Sequence, residues 1–178
     1  MKRSKPNRRS IRLPGWDYRG VGFYFVTICT HQRICLFDDP DLHEIAANAW
    51  RYIPEQPHAS HVALDEWVVM PNHIHGLVEI VTAPTTENTQ ADQAPRLQSG
   101  SLGSIVGNYK MLVSKRVKAV KRRVGIELKV WQRGYWERIV RNERELNAVR
   151  QYIQENPLRW AEDRDNLDQM LDTMSYIS

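Results

Sequence analysis

The sequence predicts an α+β sandwich: a mostly antiparallel sheet with helices packed on it, of the ferredoxin-like type. Three observations lead there. Segments with strand and helix character alternate in the order strand, helix, strand, strand, helix, strand, helix. The 178 residues suit one domain with a sizeable core, and no internal repeat is visible. Apolar residues at 42% and charged residues at 26% exclude wholesale disorder.

Each element has its own warrant. Residues 21–30 are rich in β-branched and aromatic types and read as a strand. Asp39-Pro40 marks a helix start, and Leu42, Ile45, Ala46, Ala49 and Ile53 form its apolar stripe until Pro54 and Pro57 end it. Residues 62–70 and 73–81 form two strands joined at Pro71-Asn72. The polar, proline-containing stretch 82–100 has no period and reads as a surface loop. A helix over roughly 102–124 sets Val106, Tyr109, Val113, Val117, Val120 and Val124 at steps of three and four. Residues 135–140 suggest a further strand. In the last helix Asn142 and Glu145 are spaced as a capping box, Leu146, Val149 and Ile153 pack inward, and Pro157 disfavours continuation.

The charge is unevenly mixed. Twenty-five Lys and Arg against 21 Asp and Glu give only +4, yet two runs are free of acids. One opens the chain and includes Arg8, Arg9 and Arg12. The other comprises Lys110, Lys115, Arg116, Lys118, Lys121, Arg122 and Arg123. The tail after Trp160 is acidic. Such runs either attract a polyanion, nucleic acid being the commonest, or form solvated surface. No apolar run is long enough for a membrane helix, the start does not resemble a signal peptide, and two cysteines build neither a disulfide framework nor a four-thiolate zinc site. A reducing cytoplasm, with no membrane partner, is expected.

Two groups of residues carry chemistry. In His73-Ile74-His75, strand alternation sends both imidazoles to one face and Ile74 to the other. That pair either chelates one metal ion or stands half-exposed on a solvated sheet face. The spacing is not the helical His-Glu-x-x-His of zincins, the Cys-x-x-Cys partner of zinc deaminases is missing, and Leu77 stands where histidine-triad hydrolases need a third histidine. Tyr152 and Asn156 are four apart, so they share one face of the last helix. Taken alone they are equally a tyrosine beside a core and an asparagine stopping a helix.

Together, Met70-Pro71-Asn72-His73-Ile74-His75-Gly76 and Tyr152-Ile153-Gln154-Glu155-Asn156-Pro157 resemble the HUH single-tyrosine transposases, and within them the REP-associated tyrosine transposases. The resemblance extends to Arg8-Arg9-Ser10-Ile11-Arg12-Leu13, Tyr24 to Thr30, and Val130-Trp131-Gln132-Arg133 with Tyr135-Trp136-Glu137. It covers residues 1–160 apart from the polar loop, and it leaves out the acidic tail 161–178. It implies a metal-dependent single-stranded DNA endonuclease and strand transferase acting on DNA hairpins through a 5′-phosphotyrosine. His73, His75 and Asn156 would then hold Mg²⁺ or Mn²⁺, and Tyr152 would be the nucleophile. The two basic runs would grip the hairpin, and Trp131, Tyr135 and Trp136 would be candidates to stack on unpaired bases. Tyr109, at a place where relatives often carry phenylalanine, is expected to serve packing. A monomer or a homodimer is expected. A non-cleaving hairpin-binding protein is the nearest alternative. An RNA-recognition module ranks last, since its aromatic-and-glycine strand signature is missing.

Overall fold

A computed structural model describes residues 16–83, 99–122, 125 and 128–160. Arg8, Arg9, Arg12, Arg123, Val124, most of the polar loop and the acidic tail lie outside the described residues. The chain runs β1 (Gly22–Cys29), α1 (Pro40–Arg51), β2 (Val62–Met70), β3 (His73–Ile80), α2 (Leu102–Arg122), β4 (Trp136–Val140) and α3 (Glu143–Arg159). The strands form one antiparallel sheet in the order β2-β3-β1-β4. Each of the first two helices therefore crosses over one intervening strand, giving the α+β sandwich that the element order predicts.

Side-chain alternation assigns the two faces of the sheet. Tyr24, Val26 and Ile28 of β1, with Ile74, Val78 and Ile80 of β3, form one core with α1 and α2. Phe25 and Leu77 point the other way and pack on Leu146, Val149 and Ile153 of α3. Helix α1 starts where Asp39 accepts hydrogen bonds from the amides of Asp41 and Leu42, with Pro40 in the first turn, as the N-cap pattern requires. Its buried face also includes Trp50, which meets the Tyr109 ring edge-on at 5.1 Å. Val106, Tyr109, Val113 and Val117 are the buried stripe of α2. Tyr109 is fully enclosed and its hydroxyl donates to the Ala46 carbonyl at 3.2 Å, a packing role.

Strand β2 contains a bulge. Leu64 pairs with Val78 but Trp67 with Gly76, so β2 holds one residue more than β3 over that span. Leu64 and Trp67 both pack against the α1–α2 core. The extra residue leaves Asp65 and Glu66 on the α3 side, where they meet Arg150 and Gln154.

Helix α3 departs from expectation at both ends. Asn142 Oδ1 accepts from the Glu145 amide at 2.9 Å, but the Glu145 carboxylate returns to the Arg141 amide, not to that of Asn142. The capping box is thus shifted by one residue. The helix also continues through Pro157 to Arg159. Pro157 falls in the last turn, where its missing N–H forfeits a single bond to the Ile153 carbonyl, and the Trp160 amide still closes on the Asn156 carbonyl at 3.0 Å.

Candidate functional site

His73 and His75 occupy β3, an interior strand with β1 and β2 on either side. In the register they oppose Cys29 and Thr27, while Leu77, two residues further on, opposes Phe25. They therefore share the face that α3 covers. They are 1% and 0% exposed, which overturns the picture of two half-exposed histidines on a solvated sheet. Helix α3 supplies the cover that sequence alternation does not reveal.

The two imidazoles meet through their Nε2 atoms, 2.9 Å apart. The Tyr152 hydroxyl stands 3.1 Å from His75 Nε2, so the tyrosine and the histidine pair converge within one chain. The remaining ring nitrogens have partners as well. Thr27 Oγ1 lies 2.8 Å from His75 Nδ1, and Asn72 Oδ1 lies 2.7 Å from His73 Nδ1. Phe25 stacks on His75 at 5.4 Å and presents its face or edge to Tyr152 at 6.0 Å in a perpendicular contact. Trp160, just beyond α3, tilts over His73 at 5.9 Å. Thr27, Asn72, Phe25 and Trp160 were not singled out by sequence reasoning. One signal was available: Thr27 is a hydroxyl residue inside an otherwise apolar strand.

Burial disfavours charge on both rings. Desolvation, helped by the nearby Arg33 charge, pushes the His73 pKa down to about 3. Desolvation and then His73 hold His75 well below the ordinary histidine value. Both imidazoles are neutral at pH 7, the state in which a ring nitrogen can ligate a metal.

Three polar ties fix α3 over this pocket. Arg150 clamps Asp65 of β2 with contacts of 3.0 and 2.6 Å, Gln154 donates to Glu66 at 2.9 Å, and Arg138 of β4 reaches Glu145 at 3.1 Å. Tyr152 lies between Arg150 and Gln154 along the helix. Asn156 lies one turn beyond Tyr152 and is buried.

The donor chemistry suits a cation. Asn72 Oδ1 can only accept, so His73 Nδ1 carries that ring's proton and its Nε2 keeps a lone pair. That lone pair faces His75 Nε2 at 2.9 Å, a spacing that a proton on His75 Nε2 or a cation held between the two nitrogens satisfies. Two ligands about 2.1 Å from a metal and at right angles stand about 3 Å apart, close to the observed spacing. Among the described residues no three His, Cys, Asp or Glu side chains cluster as a metal site. Asn156, a buried amide on the helix that covers the pair, is a donor of another kind.

The basic residues of α2 fall into two groups, paired and exposed. Helix α2 packs on the opposite face of the sheet from His73 and His75. Lys110 donates to the carbonyls of Gln132 and Gly134 at 2.8 and 2.7 Å, and desolvation lowers its pKa to about 8. Lys121 pairs with Asp39 at 2.8 Å. Lys115, Arg116, Lys118 and Arg122 are exposed. Trp131 is core rather than platform: it is buried, it packs on Phe37 and Tyr109, and its indole donates to the Lys110 carbonyl. Tyr135 packs against the same core. Trp136, opposite Thr27 in the register, is half-buried on the face of the histidine pair.

No family model matches the chain. An uncharacterized protein of Haemophilus influenzae is 36% identical over 176 residues, an alignment covering 91% of this chain and 94% of that one. Among solved structures, a REP-associated tyrosine transposase bound to a REP hairpin superposes with a TM-score of 0.53 at 18% identity, covering 88% of this chain and 73% of its own. That likeness establishes a shared fold. A crystal structure from Deinococcus radiodurans reaches a TM-score of 0.44 at 16% identity, over 81% of this chain and 95% of its own, too distant to argue from. No helix among the described residues is long and apolar enough to cross a membrane.

Proposed function

The chain belongs to the same family as the Haemophilus influenzae protein, and from that premise we propose that it is a metal-dependent single-stranded DNA endonuclease and strand transferase acting on DNA hairpins. One observation carries the reading: a tyrosine hydroxyl lies 3.1 Å from one of two buried, neutral imidazoles whose Nε2 atoms converge. The shared fold with a hairpin-bound transposase supports the substrate class.

His73, His75 and Asn156 are the residues that would hold Mg²⁺ or Mn²⁺. When bound, such a cation would supply neutralisation of the charge that develops on the phosphate oxygens. Tyr152 is the nucleophile. Its Oη forms a bond to the scissile phosphorus, the P–O3′ bond breaks, and the DNA is left as a 5′-phosphotyrosine with a free 3′-hydroxyl. The proton lost by the phenol is balanced by the one the 3′-oxygen gains. Attack by a 3′-hydroxyl on the phosphotyrosine reverses the step and rejoins strands, so no nucleotide cofactor is consumed. Phe25 and the Asp65–Arg150 clamp hold the phenol over the histidines. Lys115, Arg116, Lys118 and Arg122, with the N-terminal arginines, contribute phosphate contacts remote from the cut. Trp136 is the remaining aromatic candidate for base stacking on the catalytic face.

The test is a denaturing gel with an end-labelled hairpin oligonucleotide and either metal. A covalent protein–DNA adduct that needs metal and disappears in Tyr152→Phe supports the proposal. An adduct that survives Tyr152→Phe overturns it. Tight hairpin binding with no adduct in Mg²⁺ or Mn²⁺ overturns it in favour of a non-cleaving hairpin-binding protein.

A further inference from the structure

We propose that Arg33 is a substrate-binding residue, presenting its guanidinium to a backbone phosphate of the unpaired DNA strand beside His73. The inference rests on the hairpin-DNA reading above and adds to it a phosphate contact at the histidine pair.

Arg33 stands in a turn that its residue type does not favour. Gln32 and Arg33 have φ values of 55° and 56°, in the left-handed region that L side chains rarely adopt. The Ile34 amide closes on the His31 carbonyl at 3.3 Å, so the two are the central residues of a tight turn with positive φ at both. Turns of that kind favour Asn-Gly, whose backbones tolerate the conformation. Strained positions persist only where the surroundings over-determine them, and they gather at functional sites. Here the His31 amide donates to the Val130 carbonyl at 2.8 Å, the Arg33 amide to the Thr30 carbonyl at 3.1 Å, and the Thr30 hydroxyl to the Ile34 carbonyl at 2.7 Å.

The turn lies against the candidate site. Strand β1 delivers it: Cys29 pairs with His73 in the register, and the Thr30 amide donates to the Asn72 carbonyl at 2.9 Å. The Arg33 charge is felt at the imidazole, where it adds to burial in holding the His73 pKa down. Arg33 itself is only partly buried, so a strand arriving from solvent meets it before the enclosed histidines. A guanidinium offers a planar fork of donors that matches two phosphate oxygens. Charge points the same way. A cation held by the histidines and a guanidinium beside it would repel one another unless an anion lay against both, and a phosphodiester is such an anion. The carboxylates beneath α3 are committed elsewhere: Asp65 to Arg150, Glu66 to Gln154 and Glu145 to Arg138.

The experiment follows binding of a fluorescein-labelled DNA hairpin with unpaired extensions by anisotropy, in EDTA, for the full native chain, Arg33→Gly and Gln32→Gly. A single methylphosphonate, which removes the charge of one linkage, is moved along the DNA. Glycine suits the backbone at both positions, so neither variant is expected to lower the urea midpoint. Arg33→Gly is expected to reduce the salt slope of binding by about 0.7, the share of one phosphate on a single strand. It should also make one methylphosphonate in the unpaired strand silent, while the others keep their native cost. Gln32→Gly, which relieves the same strain without removing charge, should keep the native slope and profile. An Arg33→Gly protein with the native slope and profile overturns the proposal, whether or not its midpoint falls. So does a silent linkage confined to the paired stem, and so does an equal loss in Gln32→Gly, which assigns the effect to the turn's backbone. A native chain that binds no hairpin overturns this proposal and the hairpin reading together. If a linkage in the unpaired strand falls silent in Arg33→Gly while Tyr152 forms no adduct in Mg²⁺ or Mn²⁺, the Arg33 contact stands and the cleavage reading fails.

Discussion

Removing the Asp65–Arg150 clamp is expected to loosen α3 without dissolving the sheet beneath it. The guanidinium makes two directed contacts to the carboxylate, 3.0 Å through Nε and 2.6 Å through a terminal nitrogen. The side chains are 18% and 33% exposed. That exposure places the pair between a buried charged hydrogen bond, worth about 1.5–3 kcal/mol, and a surface ion pair, worth about 0.2–1 kcal/mol. A coupling energy of about 1–2 kcal/mol follows from those bounds. Arg150 also touches Asn147 at 3.1 Å and Glu143 at 3.8 Å, so its single replacement removes more than the one interaction. The assay is therefore a double-mutant cycle of Asp65→Asn and Arg150→Met, by urea unfolding. With a urea slope of about 2 kcal/mol per molar, the coupling shifts the midpoint by about 0.5–1 M. The Arg150 hydrogen bonds hold the Asp65 pKa below the ordinary carboxylate value. This contribution is hence fully present above the unfolded-state pKa and is lost as pH falls through the depressed native one. The coupling should shrink between pH 7 and pH 3, and amide exchange should quicken in α3 but not in β3. A coupling below about 0.3 kcal/mol at pH 7, or one unchanged at low pH, refutes this reasoning.

Other outcomes follow from the same geometry. A Cβ on Gly76 would stand 2.2 Å from a carbon of the buried Trp50 ring, so Gly76→Ala is expected to cost about 1–3 kcal/mol by overpacking, measured by thermal or urea unfolding. Asp39→Ala removes both the α1 cap and the partner of Lys121; a loss of about 1 kcal/mol is expected from the cap. Lys115→Ala and Lys118→Ala should each weaken hairpin binding and lower its salt dependence by about one unit of slope. Lys110→Met should instead act on stability, because its ammonium is committed to two carbonyls; equal effects of all three on hairpin affinity would contradict this division. Imidazole ligands suit manganese better than magnesium, so cleavage should be faster in Mn²⁺, and equal or slower cleavage counts against the ligand set.

Local pattern made much of the fold legible. Asp39-Pro40 announces α1, the 3-4 spacing from Val106 to Val117 announces α2, and period two places His73 and His75 on one face. Tyr152 and Asn156 share a helix face for an equally local reason. What local pattern does not encode is the choice of face. Nothing in the sequence of α2 says that it packs behind the sheet from the histidines, so its basic run could not be separated from the candidate site. Long-range pairings were hidden in the same way: Lys121 with Asp39 is 82 residues apart, and Thr27 with His75 is 48. Whether Trp131 is a stacking platform or a core residue stays open in the sequence, because composition does not reveal that Phe37 and Tyr109 enclose it. Pro157 misled by rule, since a proline costs little once the helix has only one turn left to run.

The bulge in β2 has a consequence of its own. Before it, even-numbered residues such as Leu64 face the larger core; after it, odd-numbered residues such as Trp67 and Val69 do. Two successive carboxylates, Asp65 and Glu66, are thereby left free to grasp one helix at points a turn apart. The strand works as a phase shifter between two rulers, the two-residue repeat of a sheet and the turn of a helix. Deleting Glu66 would restore a regular ladder and take one of the two anchors with it. The depth at which Tyr152 meets the histidines thus depends on a single residue of length in a strand that carries none of the proposed chemistry.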